Sequence, residues 1–462
     1  MTTPFLLVNI FVDSFARSKK VPPKMDVDVS AERVLPSDNV ISVVHPHMPS
    51  IEQQVQVDRS IDHTQTFEIF PEPRDIAAIA PLEFVVHSSP GYFLDLSSII
   101  IDAKIKIYPE SGNRADIAAQ NVYFTNNLSQ TLWSAIKVYL NSTIVESNYN
   151  NQQIANLYHI LTTPNDLVEE RGIVQGAFTV KPGNMTDPLD RHGFFENADI
   201  VTRVTYAKKN IIHVRGPLHL DLSTCSKFLV DGVNMRIVLD PSSPRFLINC
   251  APNHAWSYSI DSAKIQLTKI KPSDGGLLST HNSIIRNPLE YMMRRHVMKT
   301  VVFPVNQNQI SIFRPFEAFI PGKIYIFMID QQASGGIYTK YPFYYRHFNL
   351  QSYSVKVHGT EIAGCETTQE YIKLYSDSLR AHGEDYFIPY DNFTTGGCFV
   401  ICVDTNQGSD QNGITVEKRG NLLIQLRLRM DLARPAVVHV LGVMDSTFDI
   451  DGDRNVTTHY QH

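Results

Sequence analysis

The chain has 462 residues, 43% of them hydrophobic and 10% aromatic, and its 41 Lys and Arg against 47 Asp and Glu give a formal net charge of −6. That mildly acidic balance argues against a nucleic-acid binder, whose domains are usually strongly basic. The length accommodates two large all-β domains or about three average ones.

Residues 1–65 have weak periodicity and scattered prolines, and are expected to form an arm that becomes ordered, if at all, against a partner. The apolar run Phe5 to Val12 lacks a basic flank and a small-residue cleavage site and is too short to span a bilayer. Without a secretory signal, the sequons at Asn127, Asn141, Asn184, Asn392 and Asn455 read as chance. Arg17, Lys19, Lys20 and Lys24 form a basic cluster that fits a nuclear address, a nucleic-acid contact or, more plainly, a solvated turn. His45, His47 and Glu52 in "HPHMPSIE" superficially match a metal-ligand set, but Pro46 and Pro49 forbid a ladder strand there.

From Leu82 onward the period is two. Ile101, Ala103, Ile105 and Ile107 alternate with Asp102, Lys104, Lys106 and Tyr108, the pattern of a half-buried strand. The same alternation places Met235, Ile237 and Leu239 on one face, then Ala263, Ile265 and Leu267, then Leu422, Ile424, Leu426, Leu428 and Met430. "KIYIFMI" and "GCFVICV" read as strands buried on both faces.

Two segments read as helices. Ile154, Leu157, Tyr158 and Leu161 make one stripe, with Asn150 and Gln153 at capping-box spacing and Pro164 beyond its end. Tyr371, Leu374, Tyr375 and Leu379 make the other, with Thr367 and Glu370 as its box and Gly383 closing it. Each follows a two-residue hairpin, in "YLNSTI" or "VHGTEI". From Leu157 to Leu374 is 217 positions, the length of a domain. Each half then ends in an amphipathic strand closed by Asp240 or Asp431 and a final long strand. Three features repeated in order predict an all-β chain of two consecutive eight-stranded jelly rolls, each with one short helix inserted.

The expected divisions are an arm over 1–65, a first jelly roll over 66–270, a linker over 271–282 within "KIKPSDGGLLSTHN", a second jelly roll over 283–450 and a tail over 451–462. The aperiodic stretch from Asn165 to Asn210 is expected to be a long loop.

Several stretches resemble the double jelly-roll major capsid proteins of Maverick/Polinton elements and adintoviruses, and more distantly those of virophages and adenoviruses. They are "NLSQTLWSAIKVYLNSTIV", "GPLHLDLSTCSKFLVDGVNMRIVL", "YPFYYRHFNLQSYSVKVHG", "EKRGNLLIQLRL" and "DGDRNVTTHY", spread in the family's order over about residues 80 to 460. The resemblance implies a non-enzymatic shell subunit that forms a homotrimer, a pseudo-hexameric capsomer tiling the icosahedral capsid of a DNA virus or virus-like element. It implies as partners the chain itself and penton and minor capsid proteins, with no small-molecule substrate and no membrane span, and the virion as its location. Nucleic-acid contact and assembly in the nucleus stay open.

No catalytic, cofactor-binding or metal-binding residue is expected. Asp449, Asp451, Asp453 and Asn455 look like a calcium loop, yet Arg454 and Tyr460 stand where the EF-hand pattern needs Gly and Glu, so a turn is the better reading. The five cysteines, Cys225, Cys250, Cys365, Cys398 and Cys402, are odd in number and scattered, which points to free thiols. Cys398 and Cys402 would lie about 13 Å apart along a strand, too far for a disulfide. Arg294, Arg295, Arg346 and His347 fit solvated positions or an inner or intersubunit surface. Two alternatives remain: a carbohydrate-binding attachment protein stacking sugars on Tyr338, Tyr341 and Tyr344, and a metal-dependent jelly-roll enzyme using His45, His47 and Glu52.

Overall fold

The computed structural model describes residues 60–72, 79–110, 122–179, 207, 209, 211–250, 255–317, 319–367, 370–406 and 418–460. All lie in one compact unit, Asp58–His462. The basic cluster and the His45, His47 and Glu52 set fall outside the described residues.

Leaving aside two-residue ladders, eight strands make the first lobe: β1 (Ile61–Ile69), β2 (Leu82–Val86), β3 (Phe93–Pro109), β4 (Trp133–Leu140), β5 (Thr143–Asn148), β6 (Ile212–Pro217), β7 (Met235–Pro241) and β8 (Trp256–Pro272). They pair antiparallel in two sheets ordered β1-β8-β3-β6 and β2-β7-β4-β5. The second lobe has β9 (Leu289–Phe303), β10 (Gln309–Phe313), β11 (Lys323–Asp330), β12 (Leu350–Val357), β13 (Thr360–Glu366), β14 (Val400–Asp404), β15 (Leu422–Leu428) and β16 (Ala436–Ile450). Its sheets run β9-β16-β11-β14 and β10-β15-β12-β13, and β17 (Val456–Thr458) adds to β16. Counted by position, both lobes pair strands 1-8-3-6 and 2-7-4-5. The same jelly-roll connectivity therefore occurs twice.

The alternating residues explain the burial. Ile101, Ala103, Ile105 and Ile107 of β3, Met235, Ile237 and Leu239 of β7, and Ala263, Ile265 and Leu267 of β8 all enter one core. Central β11 is buried from Ile324 to Ile329 without alternation, because both its faces are covered. Both two-residue hairpins form: Leu140 pairs with Thr143 across Asn141-Ser142, and Val357 with Thr360 across His358-Gly359. His358 (φ 52°) and Gly359 (φ 84°) both take the positive φ that a tight hairpin turn needs.

Helix α1 (Asn151–Thr162) follows β5, and its counterpart, which starts at Ile372, follows β13 at the same place in the second lobe. The capping boxes do not form. Asn150 makes no side-chain cap bond. Thr367 donates instead to the Leu350 carbonyl at 2.5 Å, and the helix that it was expected to cap begins only after Tyr371, whose backbone is left-handed at φ 53°.

Four further expectations meet a different structure. The loop expected from Asn165 opens as helix α2 (Asn165–Arg171). The linker segment carries the end of β8 and most of helix α3 (Asp274–Arg286), begun by Ser273, whose hydroxyl accepts from the Gly276 N–H at 3.3 Å. The arm expected to end at residue 65 overlaps β1, which pairs with β8 from Ile61. Met430 lies past the end of β15 and is 66% exposed rather than in the core.

The lobes share their interiors. Ile154, Leu157 and Leu161 of α1 pack into the second lobe's core, while Tyr291 and Met293 of β9 and Phe448 and Ile450 of β16 enter the first's. Burying each such side chain stabilises by about 1.5–3 kcal/mol, so the exchange couples the two lobes. The helix after β13 is α4 (Ile372–His382), closed at its C-terminus by Gly383 at φ 110° as expected.

Candidate functional site at the lobe junction

Where the lobes meet, two sheet edges are joined by polar side chains. Strand β9 ends its sheet, so one side of it lacks a strand partner. The turn Asp221–Thr224 supplies partners instead: Asp221 Oδ2 accepts from the His296 N–H at 3.1 Å, and Thr224 Oγ1 accepts from the Arg294 N–H at 2.8 Å. Strand β5 is likewise an edge, and its Glu146 accepts from the Leu222 N–H of the same turn at 3.0 Å.

Side chains close the cluster. His296 Nδ1 lies 2.5 Å from Asp221 Oδ1, and Glu146 Oε1 accepts from Asn148 at 3.0 Å. Glu146, Asp221 and His296 are 2%, 2% and 6% exposed, so the carboxylates have been taken out of water. The His219 ring stands 5.2 Å from that of His296, and Tyr158 packs against both, at 5.3 and 4.7 Å. Burial, then the nearby Asp221 charge, holds the Glu146 carboxyl well above the usual range. Burial and the His296 ring push His219 down to about 3 against the pull of Asp221, so its imidazole is neutral. The arrangement offers two imidazoles and a carboxylate, with Asp221 and His296 buried and His219 partly exposed. Spacing along the chain conceals it, because His296 stands 75 positions from Asp221. The one local signal is "HLDL", which places His219 and Asp221 two apart.

Among the described residues, those singled out from the sequence are scattered over several elements. Arg294 faces Asp445 at 3.9 Å and Arg295 covers the Tyr460 ring at 4.1 Å, both on β9. Arg346 and His347 lie before β12, where Arg346 stacks over Phe348 and His347 Nδ1 accepts from the Asn349 N–H. Tyr341 is 3% exposed and Tyr338 donates to the Trp256 carbonyl at 2.7 Å, so these residues form no exposed three-tyrosine platform for sugars. All five cysteines are free, and burial pushes Cys398 and Cys402 up to about 12. Asp451 organises a turn, accepting from the N–H groups of Asp453 and Asn455 at 2.9 and 2.8 Å.

Asp231 forms a second knot. It accepts from the Gly91 N–H at 2.9 Å, from His281 of α3 at 2.9 Å and from Arg454 at 3.0 Å. Burial raises its pKa, but these bonds and the charges of His281 and Arg454 outweigh that and hold it below the ordinary value. Asp231→Ala is expected to cost about 1–3 kcal/mol, by leaving Arg454 without this carboxylate, as read from the urea midpoint.

No family model and no curated protein matches the sequence. Solved structures do match the fold. A chain of the Sputnik virophage superimposes with a TM-score of 0.59 at 12% identity, covering 92% of this chain and 94% of that one. The Faustovirus major capsid protein gives 0.57 at 8% identity, covering 87% and 92%. The mavirus major capsid protein gives 0.51 at 11% identity, covering 95% and 96%. The fold is an all-β double jelly roll. Among the described residues no helix is long and apolar enough to cross a membrane.

Proposed function

We propose that the chain is a major capsid protein: a structural subunit, without catalytic turnover, that trimerises into pseudo-hexameric capsomers of an icosahedral shell. The observation that carries this reading is the repeated 1-8-3-6 and 2-7-4-5 strand order, in a fold shared over nearly the whole chain with proteins of virus particles. Two similar lobes per subunit give a trimer six similar corners, the outline a hexagonal tiling requires. The stretches quoted above support placement with the Maverick/Polinton and adintovirus group, with penton and minor capsid proteins as further partners and the virion as location.

Light scattering and negative-stain imaging of purified protein test the proposal. The expected result is a particle of about 157 kDa, three times the 52.3 kDa chain, with three-fold symmetry and six lobes. A monomer throughout the micromolar range would overturn it.

A further inference from the structure

The geometry points to His219, Asp221 and His296 as a binding site for one divalent transition-metal ion of the zinc class, pinning β9 of the second lobe to the first. Metal binding there is independent of the shell function. One ligand atom from each of the three side chains lies within 4.8 Å of the others. His219 Nε2 is buried without a hydrogen-bond partner, a lone pair or proton left unused where water does not reach. Asp221 pairs with His296, and among the described residues no Lys or Arg ion pair joins Asp221 or Glu146, so two buried carboxyl groups share the pocket.

The donor set selects the ion. Two imidazole nitrogens and one carboxylate oxygen suit zinc, cobalt or nickel, whereas calcium and magnesium prefer oxygen throughout. Tetrahedral bonds of about 2.0–2.1 Å place ligand atoms about 3.3 Å apart. The cluster is within small side-chain movements of that spacing: no pair of ligand atoms exceeds 4.8 Å, and the 2.5 Å His296–Asp221 contact opens. Tyr158, packed on both rings, limits their rotation. Because His219 and Asp221 come from the first lobe and His296 from the second, bound metal stabilises the junction rather than either lobe alone.

Equilibrium dialysis of the full chain against cobalt, read by metal analysis, visible absorption and thermal midpoint, tests the site. The wild type is expected to bind one equivalent with a tetrahedral spectrum and a raised midpoint. His219→Phe keeps a ring against Tyr158 but removes the nitrogens, and is expected to weaken binding at least about tenfold while leaving the metal-free midpoint close to wild type. The His45→Ala, His47→Ala double variant is expected to bind as wild type does. No bound cobalt, or equal binding by wild type and His219→Phe, would overturn the inference.

Discussion

Trp133→Ala is expected to destabilise the protein by about 3–5 kcal/mol, seen as a lower urea midpoint. Trp133 opens β4, is fully buried and donates its indole N–H to the Ser129 carbonyl at 3.1 Å. Alanine leaves a large cavity and takes that donor away from the carbonyl. Because β9 and β16 contribute Tyr291, Met293, Phe448 and Ile450 to that same core, the loss is expected to shift one transition for both lobes. Two separated transitions would show that the lobes unfold independently.

His439→Gln is expected to reduce acid sensitivity. His439 is 3% exposed, stacks on Phe327 at 5.1 Å and lies between Thr300 and Ser334, and burial pushes its pKa down to about 4. The folded imidazole stays neutral while the unfolded one titrates near 6.5. Below about pH 6.5 the unfolded state therefore binds more protons, and stability falls with pH until the folded group titrates near 4. The variant escapes that penalty, so its stability relative to wild type is expected to rise by about 1.4 kcal/mol per pH unit lowered across this window. A constant difference between the two across the same window would refute the assignment. Glu146 acts oppositely: its raised pKa costs stability at neutral pH, and that cost disappears on acidification.

The doubled architecture was legible because alternation and hairpin chemistry are local. Ile101 to Ile107 and the Asn141-Ser142 and His358-Gly359 turns needed only near neighbours to be read. Helix starts were less legible, since Thr367 finds a better partner in the Leu350 carbonyl than in a helix N-terminus. Helix α3 was hidden by Gly275 and Gly276, which disfavour helix on propensity alone but follow the Ser273 cap. Of the junction cluster the sequence shows only the His219 and Asp221 pair, because tertiary pairing, not spacing, brings His296 to Asp221.

Residues near the end of the sequence complete the lobe encoded first. Asn141 donates to the Arg454 carbonyl at 2.8 Å, Thr143 to that of Val456 at 3.1 Å, and Tyr460 to that of Val145 at 2.8 Å. Val145 and Tyr460 are 315 positions apart, so a ribosome adding about 5–20 residues per second needs roughly fifteen seconds to a minute between them. During that interval the β4-β5 hairpin lacks the three bonds that cover this flank, so the first lobe is completed only after the second has been synthesised.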